Sequence, residues 1–193
     1  MQNLTERETF RGFSPFHARS AALVAAQMEH RVFDPALVLG SAQCPWGYPQ
    51  VILCRPCYRG KPFPTLFWLT CPYVAAACGR LESSGGVALL EEFLKPRAHE
   101  YRAYTATYRR ARLSLIGSVE KHFLRRFQPQ IWAVLERTGI GGIRTARPLT
   151  VKCLHLQAAA ALGLPGHPAR PWFDRKLGAL CCRDRRCRRY LHQ

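Results

Sequence analysis

Two Cys-Pro steps, Cys44-Pro45 and Cys71-Pro72, bracket two β-rich runs, Val51-Ile52-Leu53 and Thr65-Leu66-Phe67-Trp68-Leu69, separated by a turn that contains Gly60, Pro62 and Pro64. Branched and aromatic residues bounded by Pro and Gly read as a β-hairpin. Antiparallel pairing brings the outer ends of the two strands together, so Cys44 and Cys71 are expected side by side. Neither run alternates cleanly between apolar and polar residues, which predicts that both faces are covered by helices. Pro72 suits the first turn of a helix, and Cys71 then sits at a helix N-terminus, where free amides and the macrodipole favour a thiolate.

The rest of the chain reads as mostly helical. Ser20 and the alanine-rich run Ala21 to His30 predict a short helix, and Ala36 to Ala42 an extended segment leading into Cys44. Tyr73 to Ser83 is a helix stopped at Gly85-Gly86. Val87 to Ile116 is one helix or two with a break at Pro96, and Val119 to Thr138 is amphipathic with a boundary near Gln128, before Pro129. Gly139-Ile140-Gly141-Gly142 is a turn. Pro148 starts a last clear helix that runs through Cys153 to Ala161, its four alanines allowing close packing, and Trp172 to Leu180 forms a short final one. The predicted class is α+β, a small antiparallel β-hairpin packed against a mostly helical single domain over residues 21–180. A flexible N-terminal arm (1–20) precedes it, and a Cys/Arg-rich tail with no core signature (181–193) follows.

With 193 residues and 48% hydrophobic content the chain can bury a real core. No apolar run approaches the roughly 20 residues needed to span a bilayer, so no membrane insertion is expected. Met1 to His17 has no apolar stretch of the export-signal kind, which points to the cytoplasm. There, nine cysteines are metal ligands, catalytic thiols or buried hydrophobes rather than disulfides. The formal charge of +17 suits a nucleic acid or other polyanion as partner. Yet 24 of the 29 basic residues are Arg, which equally fits an arginine-rich coding bias. Arg109, Arg110 and Arg112, then Lys121, Arg125 and Arg126, interleave with Tyr101, Tyr104, Tyr108, Phe123 and Phe127. Such aromatics stack bases in single-stranded nucleic acid, or else form a core at helical spacing. A nucleic-acid-binding accessory protein without metal is therefore the alternative reading.

Cys44, Cys71 and Cys153 each sit at a turn or helix start, where thiolates commonly gather zinc or an iron–sulfur cluster. Free cysteine is as commonly a small buried hydrophobe. His155 is a fourth ligand only if the turn at Cys153 is irregular, because residues two apart on a regular helix point about 200° away from each other. Otherwise it supports the site from behind. Cys182 and Cys187 are further candidates for the fourth position. Cys54-Arg55-Pro56-Cys57 lies in the hairpin turn rather than between a strand and a helix, the wrong context for a redox motif.

Gln43-Cys44-Pro45-Trp46-Gly47-Tyr48-Pro49-Gln50-Val51-Ile52, the run Gly60 to Pro72, Arg80-Leu81-Glu82 and Val151-Lys152-Cys153-Leu154-His155, in that order, resemble the bacterial family catalogued as domain of unknown function 501. The likeness extends from about Ala21 to about Leu180. The resemblance implies that Cys44, Cys71 and Cys153 belong to the family's motifs, with His155 two residues beyond the third. Cys54, Cys57 and Cys78 fall outside those motifs. No established activity comes with the resemblance. The resulting expectation is a cysteine-ligated centre, zinc or iron–sulfur, at the junction of the hairpin and the last long helix.

Overall fold

The computed structural model of the chain describes residues 9–29, 34–144 and 149–192. The predicted hairpin is its centre: β3 (Pro49–Cys54) pairs antiparallel with β6 (Phe67–Leu69), Val51 opposite Leu69 and Leu53 opposite Phe67. Two strands join it on the other side, β2 (Val38–Gln43) and β1 (Ser14–Pro15), giving a four-stranded sheet in the order β1-β2-β3-β6. Every residue of β3 is buried, as an apolar run covered on both faces requires. The hairpin turn carries its own two-stranded ribbon, β4 (Cys57–Tyr58) with β5 (Lys61–Pro62).

Among the described residues, eight α-helices accompany the sheet: α1 (Ala18–Gln27), α2 (Pro72–Ser83), α3 (Gly86–Leu94), α4 (Ala98–Ser114), α5 (Ser118–Phe127), α6 (Pro129–Arg137), α7 (Leu154–Gly163) and α8 (Arg170–Leu177). The fold is α+β, with no helix among the described residues long and apolar enough to cross a membrane. The proline signals hold. A single 3₁₀ turn at Lys95–Arg97 separates α3 from α4, and Gln128 ends α5 where Pro129 opens α6. Several boundaries differ from the sequence reading, among them the last helix, which runs Arg170–Leu177 rather than Trp172 to Leu180. α1 starts three residues before Ala21, because His17 rather than Ser20 is its N-cap. Gly85 adopts φ +83° and caps α3 instead of merely stopping α2. Pro148 lies outside the described residues, and α7 begins only at Leu154, leaving Cys153 as an extended N-cap (φ −163°, ψ 159°).

α7 is the buried core helix. Leu154, Leu156, Gln157 and Ala158 to Ala161 are all inside, the pattern of a helix enclosed on every side. Small residues let it lie against the sheet, since a Cβ on Gly163 would stand 2.6 Å from the Phe67 ring. Its polar groups are met from α4: Tyr104 Oη donates to the carbonyls of Ala160 (2.8 Å) and Leu164 (3.1 Å), and Gln157 Nε2 donates to Tyr101 Oη (2.8 Å). His167 closes this network, its Nδ1 accepting from the Ala169 amide (3.0 Å) and its Nε2 facing Gln157 Oε1 (2.9 Å).

Both flanking segments take part in the core. Phe10 is buried against Phe67 and Phe13, and Ser14 and Pro15 of β1 pair with β2, so this stretch joins the core and the sheet edge. Beyond α8, Cys182, Cys187 and Tyr190 are buried despite the arginines between them. Trp46 Nε1 donates to the Cys182 carbonyl (2.6 Å), Gln50 to the Leu180 carbonyl, and Gln27 Nε2 to Cys187 Sγ (3.2 Å). The segment lacks helical periodicity because these anchors hold it, not an apolar stripe.

Candidate metal centre

The last turn of α2 carries Glu82, and the first turn of α7 carries His155 immediately after the Cys153 cap. Ligand atoms of Glu82, Cys153 and His155 all lie within 4.8 Å of one another. The four amides that open a helix lack partners within it, and the Cys153 side chain makes no capping bond. Glu82 supplies the cap from the neighbouring helix. Its Oε1 accepts from the amide of Leu154, from the amide of His155 (3.4 Å) and stands 3.1 Å from His155 Nδ1. A carboxylate at the C-terminal end of its own helix opposes the dipole of α2, and the start of α7 provides the compensating positive end.

The same irregularity settles the direction of His155. With Cys153 extended rather than helical, the 200° divergence expected within a regular helix does not apply, and thiol and imidazole converge. Burial raises the Cys153 thiol above its usual range, reinforced by the Glu82 carboxylate and offset by the amides of Leu156 and His155. Cys78, one turn before Glu82 on α2, is buried behind the pair. Its thiol is pushed up to about 12, first by burial and then by Glu82 and Cys153. In front lies a cleft of about 200 Å³ walled by Phe67, Trp68, Lys152 and Leu156, onto which Cys153 and His155 open. Gly141 shapes its rim, where a Cβ would meet Leu156 Cδ2 at 2.1 Å.

Cys44 and Cys71 do not share this centre. Cys71 caps the other end of α2. Cys78 and Glu82 lie two and three turns further on, about 10 and 16 Å along the axis at 1.5 Å per residue. Sulfurs on one tetrahedral zinc stand only about 3.8 Å apart, given Zn–S near 2.3 Å. The structure therefore brings Cys153 together with Glu82 and His155 rather than with Cys71. Cys44, in the turn after β2, and Cys71 meet the C-terminal segment instead, with Cys181, Cys182 and Cys187. Glu82, Cys78 and Cys181 were not singled out from the sequence. An acidic residue in the last turn of a predicted helix was the available signal for Glu82.

The basic candidates divide as well. Arg112 is fully buried and donates to the carbonyls of Pro64 (2.9 Å) and Gly139 (3.0 Å), and to those of Leu135 and Thr138. Its charge answers the C-terminal carbonyls of α6 and is unreachable by nucleic acid. Tyr101, Tyr104 and Tyr108 are core residues, not stacking platforms. Arg109 Nη1 donates to the Glu136 carbonyl (3.4 Å). Arg110, Arg125 and Arg126 remain at the surface with the half-exposed Lys121, and Arg125 lies 4.5 Å over the Trp132 ring. Cys54 ends β3 and is fully buried. Burial raises its thiol far above the reactive range, which removes a redox role for the Cys54/Cys57 pair.

An α+β domain with a Cys/His/Glu cluster at a helix start is thus the class that fold and site define. The family model described as "Protein of unknown function (DUF501)" matches residues 41–170, and the chain belongs to that family. The match includes Cys44, Cys71, Glu82, Cys153 and His155 and stops before Cys181. No curated protein and no solved structure matches the chain.

Proposed function

We propose that this protein carries a zinc centre of the catalytic type, ligated by Glu82, Cys153 and His155, with a fourth position open to the cleft beside Lys152. The observation that carries the reading is the convergence of three different ligand types within 4.8 Å at the junction of α2 and α7. Nitrogen and oxygen ligands on tetrahedral zinc stand about 3.4 Å apart, given bond lengths near 2.0–2.2 Å, and His155 Nδ1 and Glu82 Oε1 are 3.1 Å apart. A thiolate, a carboxylate and a neutral imidazole together carry two negative charges, which a divalent ion neutralises. The ion also reverses the electrostatics of Cys153, since a coordinating thiol is deprotonated outright. Three protein ligands leave one site for water or substrate, the arrangement in which zinc generates a hydroxide near neutral pH. Lys152 at the cleft supplies a positive charge for an anionic group on a small substrate.

Metal analysis of the purified chain tests this. One equivalent of zinc is expected, lost in Cys153→Ser, His155→Gln and Glu82→Gln. Cobalt substitution should give charge-transfer absorption of the strength that one thiolate produces. Zinc content unchanged in all three variants would sink the reading.

A further inference from the structure

We propose that Cys44, Cys71, Cys182 and Cys187 form a second, separate metal site that holds an iron–sulfur cluster and clamps the C-terminal segment onto the sheet. Its elements arrive from far apart in sequence: the turn after β2, the cap of α2 and the stretch beyond α8. Anchoring bonds converge on the site. Trp46 reaches the Cys182 carbonyl, Gln50 the Leu180 carbonyl, and Gln27 Nε2 bridges the Pro49 carbonyl (2.9 Å) and Cys187 Sγ (3.2 Å). Cys71, Cys182 and Cys187 are each buried at 7% exposure or less. Cys71 and Cys187 each sit at the border of an apolar cluster, and the thiols are near enough to act on one another: Cys71 feels Cys182 and Cys187, Cys187 feels Cys182 and Cys44, and Cys181 feels Cys44.

Charge and spacing select the ligand. Four thiolates around a cluster leave net negative charge that a buried site has to balance, and arginines surround it. Arg186 lies within electrostatic range of Cys71 and Cys182, and Arg189 of Cys187. Arg185 lies over Trp46 at 4.2 Å and Arg186 over Tyr73 at 4.9 Å, beside the site. Among the described residues no three of the five sulfurs lie within 4.8 Å of one another, whereas a single zinc ion would draw them to about 3.8 Å. A four-iron cluster binds each thiolate through a different iron and so keeps the sulfurs further apart. Cys181, half-exposed and beside Cys44, is a neighbour and not a ligand.

The site stands independently of the zinc reading, and one experiment separates them. The full chain is purified without oxygen, supplied with equal amounts of ferric and ferrous iron and with sulfide, so that two ferric and two ferrous ions with four sulfides make the oxidised cluster without a further oxidant, then desalted and assayed for iron, acid-labile sulfide and zinc. Iron and sulfide are expected in equal amounts, with broad visible absorption that bleaches on reduction. Cys71→Ser and Cys187→Ser should lower the iron at least ten-fold and leave zinc in place. Cys153→Ser, Cys181→Ser and Cys54→Ala should retain the iron. Because Cys71→Ser risks misfolding, alkylation of the wild type is mapped before and after loading, and protection should appear at Cys44, Cys71, Cys182 and Cys187 but not at Cys181. Zinc without sulfide on these thiols, full iron in the two serine variants, or no change in protection would overturn the proposal.

Discussion

The two ends of α2 make opposite use of the same chemistry. At its C-terminal end, Glu82 pairs with His155, the Cys153 sulfur lies within 4.8 Å of both, and Cys153 and His155 open onto a cleft. At its N-terminal end, Cys71 lies within electrostatic range of Cys182 and Cys187, beside the Arg185–Trp46 and Arg186–Tyr73 pairs. The first arrangement has mixed ligands and an accessible position, as reactive metal sites do. The second has thiols only, three of them buried, as sites that fasten a fold do. One helix thus joins a site suited to exchange with solvent and a site suited to hold the chain together.

The sharpest way to break the contrast is to disturb one end alone. Arg112 ties both rims of the cleft, through Pro64 on the hairpin turn and Gly139 before the glycine turn. Arg112→Met leaves four buried carbonyls without their donor. We expect a loss of about 3–5 kcal/mol in denaturant unfolding, the range for removing one side of a buried charged network. Zinc should fall while iron at the other end persists.

A comparable effect follows from acid, and it distinguishes the two histidines of the α7 region. Burial lowers the His167 pKa from 6.5 to about 3. Its folded state therefore demands the neutral ring, and its contribution is complete above the unfolded value of 6.5 and is lost as pH falls toward the folded value. The expected loss is on the order of 4 kcal/mol between those limits. Urea midpoints measured from pH 7 to 4 should fall in the wild type and flatten in His167→Gln. An equally steep fall in that variant would show that another group carries the acid sensitivity.

The smallest of the three is Gly141→Ala. Its φ of +63° disfavours a side chain, and the added methyl would collide with Leu156 on the cleft wall. A cost of about 1–2 kcal/mol is expected from the left-handed backbone and the overlap, with weaker zinc binding and unaltered iron. Calorimetry with metal titration would measure both.

Residues that carry local instructions were readable from the sequence. Pro72, Pro96 and Pro129 marked boundaries because a missing amide acts wherever the chain goes, and the hairpin followed from its β-rich runs. The choice of partners for each cysteine was not readable, because spacing along a chain does not say which distant loops meet. Cys153 was placed inside a helix because its neighbours favour one, yet docking of Glu82 against the amides of Leu154 and His155 fixes the start one residue later. The segment after α8 offered arginines and no periodicity, so its burial through the bonds from Gln27, Trp46 and Gln50 had no local signature.

Those same bonds impose an order of events during synthesis. Trp46 and its Cys182 acceptor are 136 residues apart, and Gln27 and Cys187 are 160 apart. At about 5–20 residues per second, roughly 7 to 29 seconds separate the synthesis of Cys44 from that of Cys187, and roughly 6 to 23 seconds that of Cys71. During that interval the β2 turn and the start of α2 present bare sulfur to whatever metal or oxidant is at hand. A cell that makes this protein faster than it supplies the right partner atoms would accumulate chains mispaired at this early-made half, with Glu82, Cys153 and His155 already synthesised.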